Sequence, residues 1–194
     1  MAKIFVNYRG GDGQNAADLL KYALSETFGA DEVFLAPIMI RPGRDFERAL
    51  LRGVRGCEVL LAIVGPNWLT ATNASGARAI EADGDWVRRE IAEAFASGAR
   101  VVPVLLDGAT RLTDAALPED IERLRRCQYL RLRHADFQSD LNRIVTELAR
   151  YVPRREDDQD TDQAADRVTM RARASGHGRV YQAGGDMVVN EERA

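Results

Sequence analysis

Residues 57–64, with the sequence C-E-V-L-L-A-I-V, constrain the fold of this chain more than any other segment. The run is apolar apart from Glu58, and Gly56 and Gly65 bound it on either side. A short apolar run between turn residues is typical of a parallel β-strand that is buried on both faces. Such a strand requires further parallel strands beside it and helices over both faces of the sheet.

The rest of the chain alternates short apolar runs, which predict strands, with segments whose apolar residues recur at helical spacing. Right-handed crossovers between parallel strands then give an α/β fold, a flavodoxin-like open parallel five-stranded sheet with helices on both faces. Asp136 is expected to cap the last helix. The predicted strands are residues 3–8, 33–35, 57–64, 100–106 and 128–132, and the predicted helices are residues 15–28, 46–54, 86–96, 118–126 and 136–151.

The composition of the chain changes after residue 152. Residues 1–152 contain all the predicted strands and helices and are expected to form one folded domain. Residues 153–173 are rich in Arg, Asp, Gln and Thr, and their few apolar side chains cannot offset the entropy lost on ordering, which predicts a disordered linker. Residues 174–194 regain β-forming residues among glycines and are predicted to be a separate short module.

Charge and cysteine content argue against several partners. The net charge is −3 with both signs mixed along the chain, so no basic surface indicates nucleic acid or an anionic membrane. Without a leader or a stretch of membrane-spanning length, a cytoplasmic location is expected. Cys57 and Cys127 lack metal-ligand spacing and are expected to be reduced, buried thiols, and no metal site is predicted.

The most informative pair for function is Trp86 and Glu90, four residues apart at the start of a predicted helix. Four-residue spacing places both on one helix face, just after residues 65–85, one of the loops at the carboxyl ends of the strands, where open sheets bind ligands. An aromatic ring beside a carboxylate suits a ligand that contains a ribose. The alternative interpretation is that Trp86 is a packing anchor and that Glu90 only offsets the helix dipole.

Four segments together resemble the Toll/interleukin receptor (TIR) domain over about residues 3–152. They are I-F-V-N-Y-R-G at 4–10, R-P-G-R-D-F at 41–46, L-L-A-I-V-G-P-N-W-L at 60–69 and D-W-V-R-R-E at 85–90. The resemblance implies the five-stranded sheet and a homo-oligomer that assembles through the loop after the second strand. In this sequence that loop contributes Ile38, Met39, Ile40, Pro42 and Gly43.

Many TIR domains cleave the nicotinamide–ribose bond of NAD with the glutamate of a W-x-x-x-E motif. The resemblance therefore implies that Glu90 is catalytic and that NAD is the substrate, with no separate cofactor. A carboxylate can stabilise the oxocarbenium-like ribose left when nicotinamide departs. The substrate-binding residues implied in the same way are Tyr8, Arg9, Trp86, Gly43 and Arg44.

One position departs from the family pattern. Family members often carry an Asp just after the second strand, where this chain has Ala36 followed by P-I-M-I. The loop is consequently more apolar than in those members. Two consequences are open: weaker polar contacts to the nucleotide, or stronger self-association through an apolar patch.

The C-terminal module contains V-Y-Q-A-G-G-D at 180–186, which resembles RHIM-related amyloid signalling motifs with core positions Val180, Gln182, Gly184 and Gly185. β-Forming residues and a Gln able to ladder can stack in register along a fibril. The resemblance implies a regulator protein with a matching motif, whose binding crowds the TIR domains together. A flexible glycine-rich chain end is the alternative.

These observations predict an assembly-activated NAD glycohydrolase in bacterial immune or cell-suicide signalling, which releases nicotinamide and linear or cyclic ADP-ribose. The alternative is a non-catalytic TIR scaffold or adaptor, which the apolar loop favours. A phosphoacceptor receiver lacks its acidic cluster and lysine here, and a P-loop NTPase lacks its Gly-Lys-Ser/Thr. His134 and His177 are isolated in the sequence and are expected to have no catalytic role.

Overall fold

The computed structural model describes residues 2–35 and 46–155. Its five strands form one parallel sheet in the order β2-β1-β3-β4-β5, so the predicted flavodoxin-like fold class is confirmed. The strands are β1 (Ile4–Asn7), β2 (Val33–Leu35), β3 (Val59–Val64), β4 (Arg100–Leu106) and β5 (Leu130–Leu132). The helices are α1 (Gln14–Phe28), α2 (Phe46–Arg55), α3 (Trp86–Ser97) and α4 (Phe137–Leu148), with short 3₁₀ helices at Ala30–Glu32, Ala79–Glu81 and Glu119–Arg126.

The sheet carries a hydrophobic core on each face. Successive residues of a strand point to opposite faces, so β3 supplies side chains to both cores, which explains why it is apolar throughout. Residues of α1 and α4 belong to one core, and residues of α2 and α3 belong to the other. The first core includes Val6, Leu20, Leu24, Leu61, Ile63 and Ile144, and the second includes Phe5, Leu50, Leu60, Val64, Trp68 and Ile91.

Two local expectations differ from the structure, and a third is met by a tighter type of helix. The predicted helix after Pro118 is a 3₁₀ helix. Asp136 occupies the position before α4, but its side chain makes no capping hydrogen bond and instead forms an ion pair with Arg133. Cys57 is buried as expected, whereas Cys127 is only half-buried. Capping and burial at these sites depend on neighbours that local sequence patterns do not specify.

Several predictions lie outside the described residues. Ala36, the self-association residues 38–43 and the substrate-binding residues Gly43 and Arg44 fall in the gap at 36–45, and the linker and C-terminal motif fall within 153–194, of which only 153–155 are described. The division of the chain after residue 152 therefore stays a prediction. Within the described part of the chain, no helix is both long enough and apolar enough to cross a membrane.

Candidate active site

The candidate site lies at the carboxyl end of β1. This strand pairs with β2 on one side and with β3 on the other, so the strand order reverses here. Ligands of open parallel sheets bind at such a switch point. Asn7 is the last residue of β1 and pairs in register with Ala62 of β3, and α3 brings Glu90 against it.

Glu90 is a buried acid, with 8% of its surface exposed. Its Oε2 atom accepts a hydrogen bond of 2.6 Å from Nδ2 of Asn7. Burial raises the pKa of Glu90 from 4.5 to about 8, the hydrogen bond from Asn7 opposes this rise, and the negative charge of Asp85 adds to it. A carboxyl group with such a pKa changes its protonation state close to neutral pH.

Asp85 joins the start of α3 to the loop after β1. Its Oδ1 atom caps the helix by accepting from the backbone N–H of Arg88 at 2.9 Å. The guanidinium of Arg9 binds both carboxylate oxygens, at 2.7 Å and 3.0 Å. Both side chains are 10% exposed, and such two-pronged pairs are strong and directional. The cation nearest in sequence to Asn7 is therefore paired with Asp85.

Tyr8 lies half-buried beside these groups. Burial raises the pKa of its phenol, and the negative charges of Asp18 and Glu90 raise it further. The phenol consequently stays protonated at neutral pH and can donate a hydrogen bond.

Trp86 is the first residue of α3 and is half-buried. The guanidinium carbon of Arg89 lies 4.3 Å from the centroid of the indole ring, within cation–π distance. Arg89 also forms an ion pair with Glu47 of α2. One cation is therefore already stacked on this ring, and a second helix holds it there.

Asp12 ties the loop after β1 to the loop after β3. Its Oδ1 atom accepts from the backbone N–H and from Nδ2 of Asn67, at 3.1 Å and 3.2 Å. A Cβ atom on Gly65 would lie 2.4 Å from Oδ2 of Asp12, closer than nonbonded atoms approach. Gly65 is therefore required for the two loops to meet beside the carboxyl ends of β1 and β3.

The cavity formed by α2, α3 and the 3₁₀ helix Glu119–Arg126 shares Arg89 with the surroundings of Trp86 but does not include Glu90 in its lining. It has a volume of about 560 Å³. Glu90 belongs to the buried stripe of α3, whereas the cavity is lined from the other side of that helix. Its lining residues are Leu51, Arg89, Ala92, Glu93, Phe95, Ala96 and Asp120.

The structure places Tyr8, Arg9 and Glu90 at the carboxyl end of β1 or beside it, and Trp86 at the start of the helix that carries Glu90. Their predicted roles toward NAD stay predictions. The sequence analysis did not name Asn7 or Asp85 as site residues. The available signals were a lone polar residue that ends an apolar strand and an Asp that precedes a helical pattern.

Among the residues described, no cluster of three or more His, Cys, Asp or Glu side chains is arranged to hold a metal ion. The chemistry that this arrangement supports is that of a buried carboxyl group, Glu90, which accepts a hydrogen bond from the neutral amide of Asn7. Together the fold and the site define an open parallel α/β domain with a buried glutamate, Glu90, at its switch point.

The TIR domain family model matches residues 4–145, and the chain belongs to the TIR domain family. Its fold is similar to that of the TIR domains in the activated Roq1 resistosome, which directly recognises the pathogen effector XopQ, with a TM-score of 0.56 and 15% identity. That match covers 76% of this chain and 99% of the other. The Clostridium botulinum CMP N-glycosidase BcmB matches with a TM-score of 0.41 and 10% identity, over 75% of this chain and 98% of that one.

Proposed function

We propose that the TIR domain of this chain cleaves the nicotinamide–ribose bond of NAD and that Glu90 is its catalytic residue. The observation that supports this most directly is the carboxyl group of Glu90, buried at the sheet switch point with a hydrogen bond to Asn7. Within the described residues, Glu90 is paired with the neutral amide of Asn7 and with no cation, so its carboxylate form can interact with a cationic ligand. Structural carboxyls usually have that charge neutralised by Arg or Lys.

The chemistry follows from the charge on the substrate. The nicotinamide ring of NAD is cationic, and when it leaves as a neutral molecule the positive charge moves onto the ribose. A carboxylate in a water-poor site stabilises that developing charge strongly. Because a nearby cation favours the ionised form of an acid, bound NAD lowers the pKa of Glu90 from its value of about 8 in the free protein and so favours the carboxylate.

Assembly is the proposed means of activation. The similar Roq1 TIR domains belong to an activated resistosome. In this chain we propose that residues 38–43 mediate contacts between TIR domains. A regulator protein that binds the motif at 180–186 would bring copies together and raise their local concentration.

A scaffold function is the second candidate, and the site itself contains the observation that favours it. Two of the predicted substrate-binding residues already have protein partners, since Arg9 is paired with Asp85 and Trp86 has Arg89 over its ring. A TIR domain that only recruits other proteins requires no open nucleotide site. In that case Glu90 has no role in turnover.

Incubating the concentrated full-length protein with NAD and measuring nicotinamide and ADP-ribose by chromatography separates the two candidates. We expect turnover, and we expect Glu90→Gln to reduce it by about a thousandfold or more, the scale lost when charge stabilisation of a transition state is removed. The matched control is Glu93→Gln on the same helix, which replaces a carboxylate paired with Arg55 and should leave turnover unchanged. Full activity of Glu90→Gln would exclude the catalytic role, and an inactive assembled protein would favour the scaffold.

A further inference from the structure

We propose that Asn7 is a positioning residue that orients Glu90 and stabilises its carboxylate. This inference rests on the proposed function for its role in turnover, but the interaction itself is a property of the folded domain. Asn7 touches Glu90 directly, with 2.6 Å between Nδ2 and Oε2.

The burial of Asn7 is the first argument. Its side chain is fully buried, at 0% exposure, in a strand whose other residues are apolar. Burying an amide is costly unless its polar atoms find partners. Among the described residues, Oδ1 of Asn7 has no hydrogen-bond partner. The donor contacts of Nδ2 with Glu90 and Val87 offset that cost.

The direction of the amide is the second argument. Nδ2 lies 3.3 Å from the backbone carbonyl oxygen of Val87 as well as 2.6 Å from Glu90. A carbonyl oxygen only accepts hydrogen bonds, so the NH₂ group of Asn7 has to face it. The reverse orientation would bring Oδ1 against the oxygen of Val87. Asn7 is therefore held as a donor toward Glu90, and a donor favours the ionised form of a carboxyl group.

The surrounding charges are the third argument. Asp85, on the same helix, disfavours a second negative charge on Glu90, and burial does so more strongly. Arg9 is engaged with both oxygens of Asp85, and Tyr8 presents a neutral phenol whose pKa is raised by Glu90 and by Asp18 of α1. Among the described residues, the hydrogen bond from Asn7 acts in the opposite direction and lowers the pKa of Glu90.

A purely structural role makes a different prediction. If Asn7 served only to join β1 to α3 through Val87, its replacement would lower stability without changing the protonation of Glu90. Asn7→Leu separates these roles, because it removes the donor without adding a charge. Asn7→Asp has the same shape and puts a second carboxyl beside the first, so it tests whether the two side chains are in contact.

The test is an NMR titration of ¹³C-carboxyl-labelled Glu in the full chain, with the Glu90 signal assigned through Glu90→Gln. We expect the Glu90 midpoint to rise by about one pH unit in Asn7→Leu, and further in Asn7→Asp, where the two carboxyls titrate as a coupled pair. The pH midpoint of kcat/KM for NAD should move upward with it, and kcat/KM at pH 7 should fall about tenfold. Circular dichroism establishes that both variants are folded.

An unchanged Glu90 midpoint in either folded variant would overturn the inference, whether or not the protein cleaves NAD. Nicotinamide release by the unmodified chain tests the proposed function separately. If the midpoint moves and no nicotinamide is released, the proposed NAD cleavage is wrong, and the effect of Asn7 on the charge of Glu90 is still supported.

Discussion

Glu90 and Asp140 are two buried carboxyl groups that the same fold treats in opposite ways. Their exposed fractions are 8% and 1%, and each lies in the N-terminal half of a helix. The pKa of Glu90 is raised to about 8, chiefly by burial. The pKa of Asp140 is lowered, chiefly by its hydrogen bonds with Arg133.

The partner explains the difference. Asp140 accepts from the backbone N–H, Nε and Nη2 of Arg133, at 3.0, 2.8 and 2.9 Å, so its charge is neutralised by a fixed fork of donors. Glu90 accepts from a neutral amide, and the nearby guanidinium of Arg9 is bound to Asp85. Burial alone therefore does not determine charge. Asp140 is a permanent anion that joins the end of β5 to α4, whereas Glu90 can change its charge when a cation arrives.

The largest expected effect is on the pH dependence of NAD cleavage. If Glu90 acts as a carboxylate, kcat/KM should rise about tenfold per pH unit below its pKa of about 8, hence about 100-fold from pH 5 to pH 7, and should level off above about pH 8. The midpoint of kcat should lie lower, because bound NAD is cationic. A pH–rate series on the full-length protein measures both, and a flat profile would remove the distinction between Glu90 and a fixed anion such as Asp140.

The second expected effect is on stability. Because the folded-state pKa of Glu90 lies above its ordinary value of 4.5, the folded protein holds the proton more tightly than the unfolded chain. The stabilisation is complete below about pH 4 and is lost as the pH rises through about 8. The free energy of unfolding of Glu90→Gln, relative to that of the unmodified protein, should increase by about 2 kcal/mol between pH 5 and pH 7, as measured by urea unfolding. A constant difference would contradict the raised pKa.

Asp140→Asn should show the opposite trend. The lowered pKa of Asp140 means that its charge stabilises the folded protein above the ordinary pKa of Asp, and that this stabilisation is lost as the pH falls through the lowered value. We expect a loss of about 1.5 kcal/mol at pH 7, typical of hydrogen bonds to a charged group, that shrinks below about pH 4. Urea unfolding from pH 3 to pH 7 measures it. A loss that grows toward acid would mean that Arg133 is not its main partner.

The smallest expected effect concerns Arg9→Lys, which retains the charge but loses the two-pronged contact with Asp85. We expect about 1 kcal/mol of destabilisation and little movement of the pH midpoint of kcat/KM. A shift of that midpoint as large as the one expected on replacing Asn7 would mean that Arg9 controls the charge of Glu90. Glu90 would then resemble Asp140, whose charge is held by Arg133.

Much of the fold could be predicted because periodicity is a local signal. The apolar run of β3 indicated a central strand, and the bounds of β2 and β4 were predicted to the residue. The 3₁₀ helix Glu119–Arg126 was predicted only as a helix. Its residue pattern is also compatible with an α-helix, and packing decides between the two.

The site was only partly predictable, because its contacts are long-range. The spacing of Trp86 and Glu90 identified the helix that carries the acid. Asn7 and its hydrogen bond to Glu90 join residues 83 positions apart, and the pair of Arg9 with Asp85 spans 76 positions. A polar residue at the end of a strand is usually the start of a loop, so nothing local indicated that Asn7 is fully buried.

The distance in sequence between Asn7 and Glu90 has a consequence for a cell that makes this protein. A ribosome has synthesised more than half of the matched domain, residues 4–145, before the acid and its donor can meet. Incomplete translation products that end before α3 contain the amide but not the acid. If Glu90 catalyses NAD cleavage as proposed, such fragments lack the residue on which that activity depends.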